Sequence, residues 1–461
     1  VTPSNGDGPP GLRALGERLA GELVLPGAVN WDTARQAWNL AVDQRPAAVV
    51  LPESASDVAA TVAFAGEHGL RIAFNAGGHN AGTIDWGDGT GTLLLKTERM
   101  RRVEVDAAGR RVRVEAGTLA QAVTEAAAAH GLCYLAGTSP DVGVAGYVLG
   151  GGLSWMVRKY GLAANSVTAV ELVTADGRLL RLDRDHEPDL FWAVRGCGGN
   201  FGAVTALELE LYPIAEIYAG AFFWPIERAG EILRAWRAWV DTAPDECTSI
   251  GRLLQLPDLP FLPEHLRGRS FVLVELAFLG AESDGAALVR PLRALEPELD
   301  TVTTMPTSDL SLVNMDPDFP LPYAGDGILL DDCPAGAVDA LVESFVGSPL
   351  LHAEVRHLGG ALSTRSPAHG CLGAIDQPFV FFTFGVVGDH DVATLEHQVE
   401  TVLARLAPWD SGRRYLNFAE SRVDPRSIFP DESYQRLREL RAIHDPRELF
   451  VANHPIPPAP R

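Results

Sequence analysis

Cysteine is scarce and scattered in this chain. Its five residues, Cys133, Cys197, Cys247, Cys333 and Cys371, are odd in number and form no Cys-x-x-Cys pair. That excludes a disulfide framework and a thiolate zinc site, and it fits a reducing compartment. Positive charge is also short: 38 Lys and Arg against 60 Asp and Glu leave a net charge of −22. So acidic a chain repels nucleic acid and anionic membrane, and neither is expected as a partner. No apolar run reaches membrane-spanning length. Val1 to Pro10 has no basic or apolar leader region and reads as a frayed tail. A soluble, cytoplasmic protein is expected, although a removed leader would leave no trace. Apolar residues are plentiful, 46% of 461. That is enough for two domains, or for one large domain with an insertion.

Glycine is clustered. Arg71 to Phe74 predicts a short buried strand running into Asn75-Ala76-Gly77-Gly78-His79-Asn80-Ala81-Gly82. Glycines permit positive φ and close approach, and successive N–H groups in such a loop form a concave anion site. A second glycine-rich stretch runs from Ala136 to Asn165 and includes Gly150-Gly151-Gly152. A third is Arg195 to Gly202. Too little side chain remains in the second stretch for an ordinary core, so its backbone must pack against something planar or anionic.

Helices are predicted over Leu12–Leu23, Asp32–Asn39, Asp57–His68 (capped by Ser56, ended by Gly69) and Leu119–His130. Strands are predicted at Ala47–Leu51 and Gly91–Leu95. Hairpins are predicted around Ala107–Arg110 and Ala175–Gly177, and an alternating strand over Ala203–Leu211. From Ile214 the texture changes. Strands over Tyr218–Trp224, Phe271–Phe278, His352–Leu362 and Phe379–Val387 alternate with helices over Arg228–Val240, Ser283–Leu295, Gly336–Phe345 and Val392–Leu406. One sheet covered on one face by helices is expected. Leu256–Gly268 and Pro306–Gly327 read as Pro-rich loops. After a helix at Tyr434–Ile443, the polar-aromatic tail reads as returning to the first part.

Several of these pieces together resemble a known family. Gly77-Gly78-His79-Asn80-Ala81-Gly82 resembles the flavin-attachment loop of berberine bridge enzyme-like oxidases, in the vanillyl alcohol oxidase/p-cresol methylhydroxylase superfamily. So do Val142-Gly143-Val144-Ala145-Gly146 with Gly150-Gly151-Gly152, Arg158–Leu162, Gly198–Gly202, Tyr415-x-Asn417 and Asp445-Pro446…Leu449-Phe450…Asn453. The matches run in order along nearly the whole chain. The resemblance implies an α+β fold: a two-part PCMH-type FAD-binding domain, residues 1–213 and 412–461, with an inserted substrate domain, 214–411, of antiparallel sheet covered by helices. It implies FAD bound covalently through its 8α-methyl carbon to His79. The cofactor's other neighbours would be Asn75, Ala76, Gly77, Gly78, Asn80, Ala81, Gly82, Thr138, Ser139, Val142, Gly143, Gly146, Tyr147, Gly150, Gly151, Gly152, Val170, Tyr415, Asn417 and Asn453.

Many members hold the flavin a second time, through a cysteine in Ala-Gly-x-Cys-Pro. Here the segment is Ala136-Gly137-Thr138-Ser139-Pro140, so the expectation is a single link through His79. Cys133 lies six residues before Ser139 and reads as a small buried residue. Val142 occupies the family's oxygen-gating position, where valine admits O2, which favours an oxidase.

The flavin accepts a hydride, so the protein must take a proton. Tyr415 matches the family's catalytic tyrosine, and its competing role is packing on the cofactor. A phenol titrates near ~10, so as a base it needs an activator. Glu354 and Arg356 share a strand face and are candidates for base or activator; His357 is the choice if the register shifts by one. Asn417 and Asn453 read as cofactor hydrogen-bonders, Tyr147 and Trp155 as packing aromatics. Asp331-Asp332 and Asp316-Pro317-Asp318 read as surface turns, and no metal is expected. The function read from these residues is an oxidase of a small natural product, alcohol or sugar-like substrate, with O2 as acceptor and H2O2 as product. The alternatives are a flavin-dependent oxygenase acting on a polyketide-like substrate and a flavin-containing sequestering protein.

Overall fold

A computed structural model describes residues 11–260 and 263–460. The Val1–Pro10 stretch lies outside them. Three sheets organise the rest. The first runs in the order Glu22–Val24, Ala48–Leu51, Thr92–Lys96, Arg71–Asn75, Phe450–Val451. Its strands are parallel except for Glu22–Val24. Ala48–Leu51 and Thr92–Lys96 are buried throughout, as parallel strands covered on both faces must be. The helix Ala55–His68 packs in the same core through Val58, Val62 and Phe64. Its cap is Ser54, whose hydroxyl accepts the Asp57 N–H at 3.2 Å, not Ser56, which lies within the helix. Gly69, at φ +66°, ends it as expected.

The second sheet is antiparallel, in the order Val103–Asp106, Arg111–Glu115, Ala203–Glu210, Val167–Val173, Leu179–Leu182. Both predicted hairpins are present in it.

The third sheet has eight strands where four were expected. Leu299–Asp300, Glu216–Pro225, Ser270–Phe278, Cys247–Gln255, His352–His357, Phe379–Val386 and Tyr323–Leu330 follow one another, with Thr303–Pro306 beside Glu216–Pro225. One face carries the helices Ala229–Val240, Ala335–Phe345 and Val392–Leu406, packed on Ala353, Val355, Phe379 and Phe381. The alternate residues, His352, Glu354, Arg356, Phe382 and Phe384, face a cavity. Cys247–Gln255 escaped notice because Gly251 and polar residues interrupt it. Gly251 is there because a Cβ would lie 2.8 Å from the Trp236 ring. Tyr323–Leu330 reads as loop for the same reason: Gly325, Asp326 and Gly327 break the apolar pattern.

Two N-terminal helices are shorter than predicted. Leu12–Gly16 gives way to the strand Glu22–Val24, and Trp31–Ala34 stops before Trp38. The helix predicted over Ser283–Leu295 is divided into Glu282–Leu288 and Arg290–Arg293, with Pro291 in the first turn of the second piece.

Candidate functional site

Parallel pairing of Arg71–Asn75 with Thr92–Lys96 on one side and Phe450–Val451 on the other delivers the chain into the His79 loop. Gly78 adopts φ +90°, and a Cβ there would lie 2.7 Å from the Asn75 side chain and 3.1 Å from Trp38 N. Only glycine suits that position. The His79 ring stacks on Trp38, centroids 4.2 Å apart and planes at 18°. Its Nε2 faces Asp141 Oδ1 at 3.6 Å, while the Trp38 indole N–H donates to Asp141 Oδ2. The Tyr323 hydroxyl lies 3.0 Å from the His79 carbonyl oxygen and 2.7 Å from Glu420 Oε1. Asn453 donates its amide to the Asn80 carbonyl.

This loop forms one wall of a cavity of about 320 Å³. Gly77 lies against Gly143, a Cβ at Gly77 falling 3.3 Å from Gly143 N, so the first two glycine-rich stretches meet there. Thr138, Ser139, Val142, Gly146 and Tyr147 continue the wall. The eight-stranded sheet supplies the opposite side. Glu354 is fully buried, receives Arg356 Nε at 2.6 Å and faces His352 Nε2 at 3.4 Å. Burial pushes the Glu354 carboxyl up, but Arg356 and His352 outweigh it and hold it at about 2. Burial, helped by Arg252, pushes His352 below the ordinary imidazole range. His352 stacks on Phe384 at 4.9 Å, and Arg356 lies over the Phe418 ring at 5.0 Å.

Tyr415 is buried beside the cavity, and its oxygen accepts from Gly152 N–H at 2.9 Å and from Asn417 Nδ2 at 3.2 Å. Burial raises its pKa despite those donors and Arg356.

Of the residues singled out from the sequence, Asn75 to Ala81, Thr138, Ser139, Val142, Gly143, Gly146, Tyr147, Glu354, Arg356, Tyr415, Asn417 and Asn453 border this one cavity. Six do not. Val170 is a core residue of the second sheet. Gly82 sits behind the loop, near Val42 and the Glu420 carbonyl. His357 points to the other strand face, where its Nε2 accepts from Arg158 at 2.8 Å; burial and that guanidinium lower it to about 3. Gly150, Gly151 and Gly152 form a layer beneath the wall. A Cβ at Gly150 would collide with the Asn417 carboxamide, one at Gly151 would lie 3.2 Å from Tyr415, and one at Gly152 would lie 2.9 Å from Tyr147. The planar groups these glycines pack against are therefore side chains of this chain.

Asp316 is not a surface turn: it borders the cavity, accepting from the Ser139 hydroxyl and from Asn314 Nδ2 at 2.6 Å. Asp332 pairs with Arg237 at 3.0 Å. Among the described residues no group of three or more His, Cys, Asp or Glu is arranged to hold a metal ion, and no helix is long and apolar enough to cross a membrane. Cys133 is buried off the cavity, its thiol pushed up to about 12 by burial. Trp38, Asp141, Tyr323, His352 and Glu420 were missed. For His352 the signal was available, since it shares the period-two face of Glu354 and Arg356.

Comparison with known proteins agrees with this geometry. Residues 46–183 match the FAD binding domain family. The chain is 28% identical over 458 residues to (R)-6-hydroxynicotine oxidase of Paenarthrobacter nicotinovorans, covering 95% of this chain and 97% of that one. This chain is an oxidoreductase with an FAD binding domain. Glucooligosaccharide oxidase of Sarocladium strictum is 33% identical over 220 residues, 47% of this chain and 44% of that one. The structure of BBE-like 1 from Physcomitrella patens shares the fold, with a TM-score of 0.85 at 20% identity over 98% of this chain and 100% of that one.

The cavity of this oxidoreductase fits FAD. Gly146 and Gly199 border it, and a Cβ at either would meet no atom within 4 Å, so their backbones present a flat, accessible surface. Asn75 Oδ1 and Asn80 Oδ1 are buried polar atoms of the same wall that make no hydrogen bond among the described residues. Buried polar groups of this kind call for a polar partner.

Proposed function

We propose that this FAD-dependent oxidase takes a hydride from a small, ring-bearing organic substrate, carries its cofactor on His79, and returns the electrons to O2 as H2O2. When bound, FAD supplies the hydride acceptor and the route of electrons to dioxygen. The protein's task is to hold the substrate and remove a proton. The observation that carries this reading is that the His79 loop and the row His352–Glu354–Arg356 face each other across one cavity.

His352 is the proton acceptor in this reading. Both ring nitrogens are buried and make no hydrogen bond among the described residues, and the lowered pKa keeps a lone pair free at neutral pH. Glu354, held near 2, is a poor base but stabilises the imidazolium that proton transfer creates. Tyr415 has its oxygen engaged by two donors and a raised pKa. It serves as a hydrogen-bond donor toward bound groups, not as the base. Phe382 and Phe418, ring centroids 4.8 Å apart, with Phe384 offer flat apolar surface to a ring.

Residues 1–213 with 412–461 are read as the FAD-holding part and 214–411 as the substrate-facing part. The pairing of Phe450–Val451 with Arg71–Asn75 supports that division. Ser139 at the cavity wall supports attachment through His79 alone. The test is twofold. Denatured protein should stay yellow, with the flavin on the His79 peptide, and hydroxylated or amine-bearing ring compounds should release H2O2. Incorporation of labelled oxygen into product would point instead to an oxygenase, and flavin that no ligand bleaches anaerobically to a sequestering protein.

A further inference from the structure

We infer that Asp141 is the positioning residue that makes His79 competent for covalent attachment, an inference that rests on His79 carrying the flavin. Neutral imidazole has one protonated and one free nitrogen, and whatever faces the first decides which is which. Asp141 presents Oδ1 to His79 Nε2 at 3.6 Å, and both atoms are buried and make no hydrogen bond among the described residues. A carboxylate only accepts, so it selects the tautomer with hydrogen on Nε2 and leaves the Nδ1 lone pair free. Trp38 fixes both partners at once: its indole N–H donates to Asp141 Oδ2 while its ring stacks on His79. The arrangement parallels the carboxylates that orient metal-binding histidines through the opposite ring nitrogen.

Attachment forms a bond from Nδ1 to the cofactor's 8α carbon and breaks one C–H bond there. The alkylated ring is momentarily an imidazolium, whose Nε2 proton Asp141 holds by a charge-assisted bond before that proton is released. The electron pair of the broken C–H bond passes through the cofactor to O2. With the two protons released, one from carbon and one from Nε2, this yields H2O2, so atoms and electrons balance with dioxygen as oxidant.

Asp141→Asn is the diagnostic change. Its oxygen can keep the Trp38 bond while its NH₂ group donates to Nε2, forcing hydrogen onto Nδ1 and blocking the nucleophile. The experiment isolates wild type, Asp141→Asn, Asp141→Glu and Trp38→Phe from riboflavin-starved cells, adds FAD and O2, and follows flavin retained after denaturation. Bound flavin before denaturation and the melting temperature are measured alongside. Asp141→Asn should bind FAD and melt like wild type yet attach it at least tenfold more slowly. Asp141→Glu should recover part of the rate, and Trp38→Phe should fall between. Attachment by Asp141→Asn at the wild-type rate overturns the inference, as does a rate loss matched by an equal loss of FAD binding. A wild-type protein that releases all its flavin on denaturation overturns the attachment reading itself, a distinguishable result.

Discussion

At position 352 a buried imidazole with no hydrogen bond among the described residues looks across the cavity, whereas at position 415 a buried phenol already accepts two. If the first takes the proton, His352→Gln should lower kcat by roughly 10²- to 10⁴-fold, the usual worth of a positioned general base, with a much smaller change in KM. Tyr415→Phe keeps the ring that packs beside Phe418 at 5.2 Å and should cost less than tenfold in kcat. Steady-state peroxide assays on the two variants decide between them, and equal losses would return the base to Tyr415. The pH profile supplies an independent check. Burial depresses His352, so activity should fall on the acid side only below the ordinary imidazole range of about 6.5. A second residue-scale expectation concerns Gly150, whose absent Cβ makes room for Asn417. Gly150→Ala should displace Asn417, remove its bond to the Tyr147 carbonyl and weaken FAD binding by at least tenfold in a fluorescence titration of the apo protein.

The tail shows how a short element controls a distant one. Asp445 is fully buried, pairs with Arg441 at 3.0 Å, and accepts the Leu449 and Phe450 N–H groups at 2.8 and 3.0 Å. Arg441 in turn donates to the Phe450 carbonyl at 2.8 Å. These bonds shape the two-residue strand that lies beside Arg71–Asn75 and place Asn453 on Asn80. Asp445→Ala leaves a buried guanidinium unpaired, so it should destabilise by about 3–5 kcal/mol in denaturant unfolding. On the proposed attachment, the flavin retained by His79 after denaturation should drop with it. A change below about 1 kcal/mol would show that the strand holds without its clamp. The same contrast explains what could be read in the chain. The parallel strands and the helix Val392–Leu406 were legible because apolar runs and period-3.6 faces are local properties. The strands Cys247–Gln255 and Tyr323–Leu330 were not, because their glycines answer to Trp236 and Phe418, which tertiary packing brings near. At the site, His79 and its glycines announced themselves by composition. Asp141 and Trp38 did not, being 103 residues apart and joined only by the fold.

Across the whole molecule, net charge and one buried acid both make stability depend on pH. With a charge of −22, self-repulsion grows as pH rises, which alone tilts the stability curve downward at alkaline pH. Glu420 adds a specific contribution. Burial, with Asp326 nearby, raises its carboxyl from 4.5 to about 8, although the Tyr323 hydroxyl pulls the other way. Tyr323 has one proton for two acceptors: with Glu420 protonated it can donate to the His79 carbonyl while accepting from Glu420, and with Glu420 ionised it donates to the carboxylate. Between about 4.5 and about 8 the folded state then holds a proton that the unfolded state has released. Stability from this group is complete below about 4.5 and declines as pH rises through that window. Glu420→Gln supplies a permanent NH donor to Tyr323 without a titrating proton. Thermal melts of the apo protein from pH 5 to 9 should therefore show a shallower decline for the variant than for wild type. The difference between the two curves cancels the general charge term, which both proteins share. It should grow steadily up to about pH 8 and then level off; parallel curves would mean that Glu420 is ionised in the folded protein and that Tyr323 donates to its carboxylate.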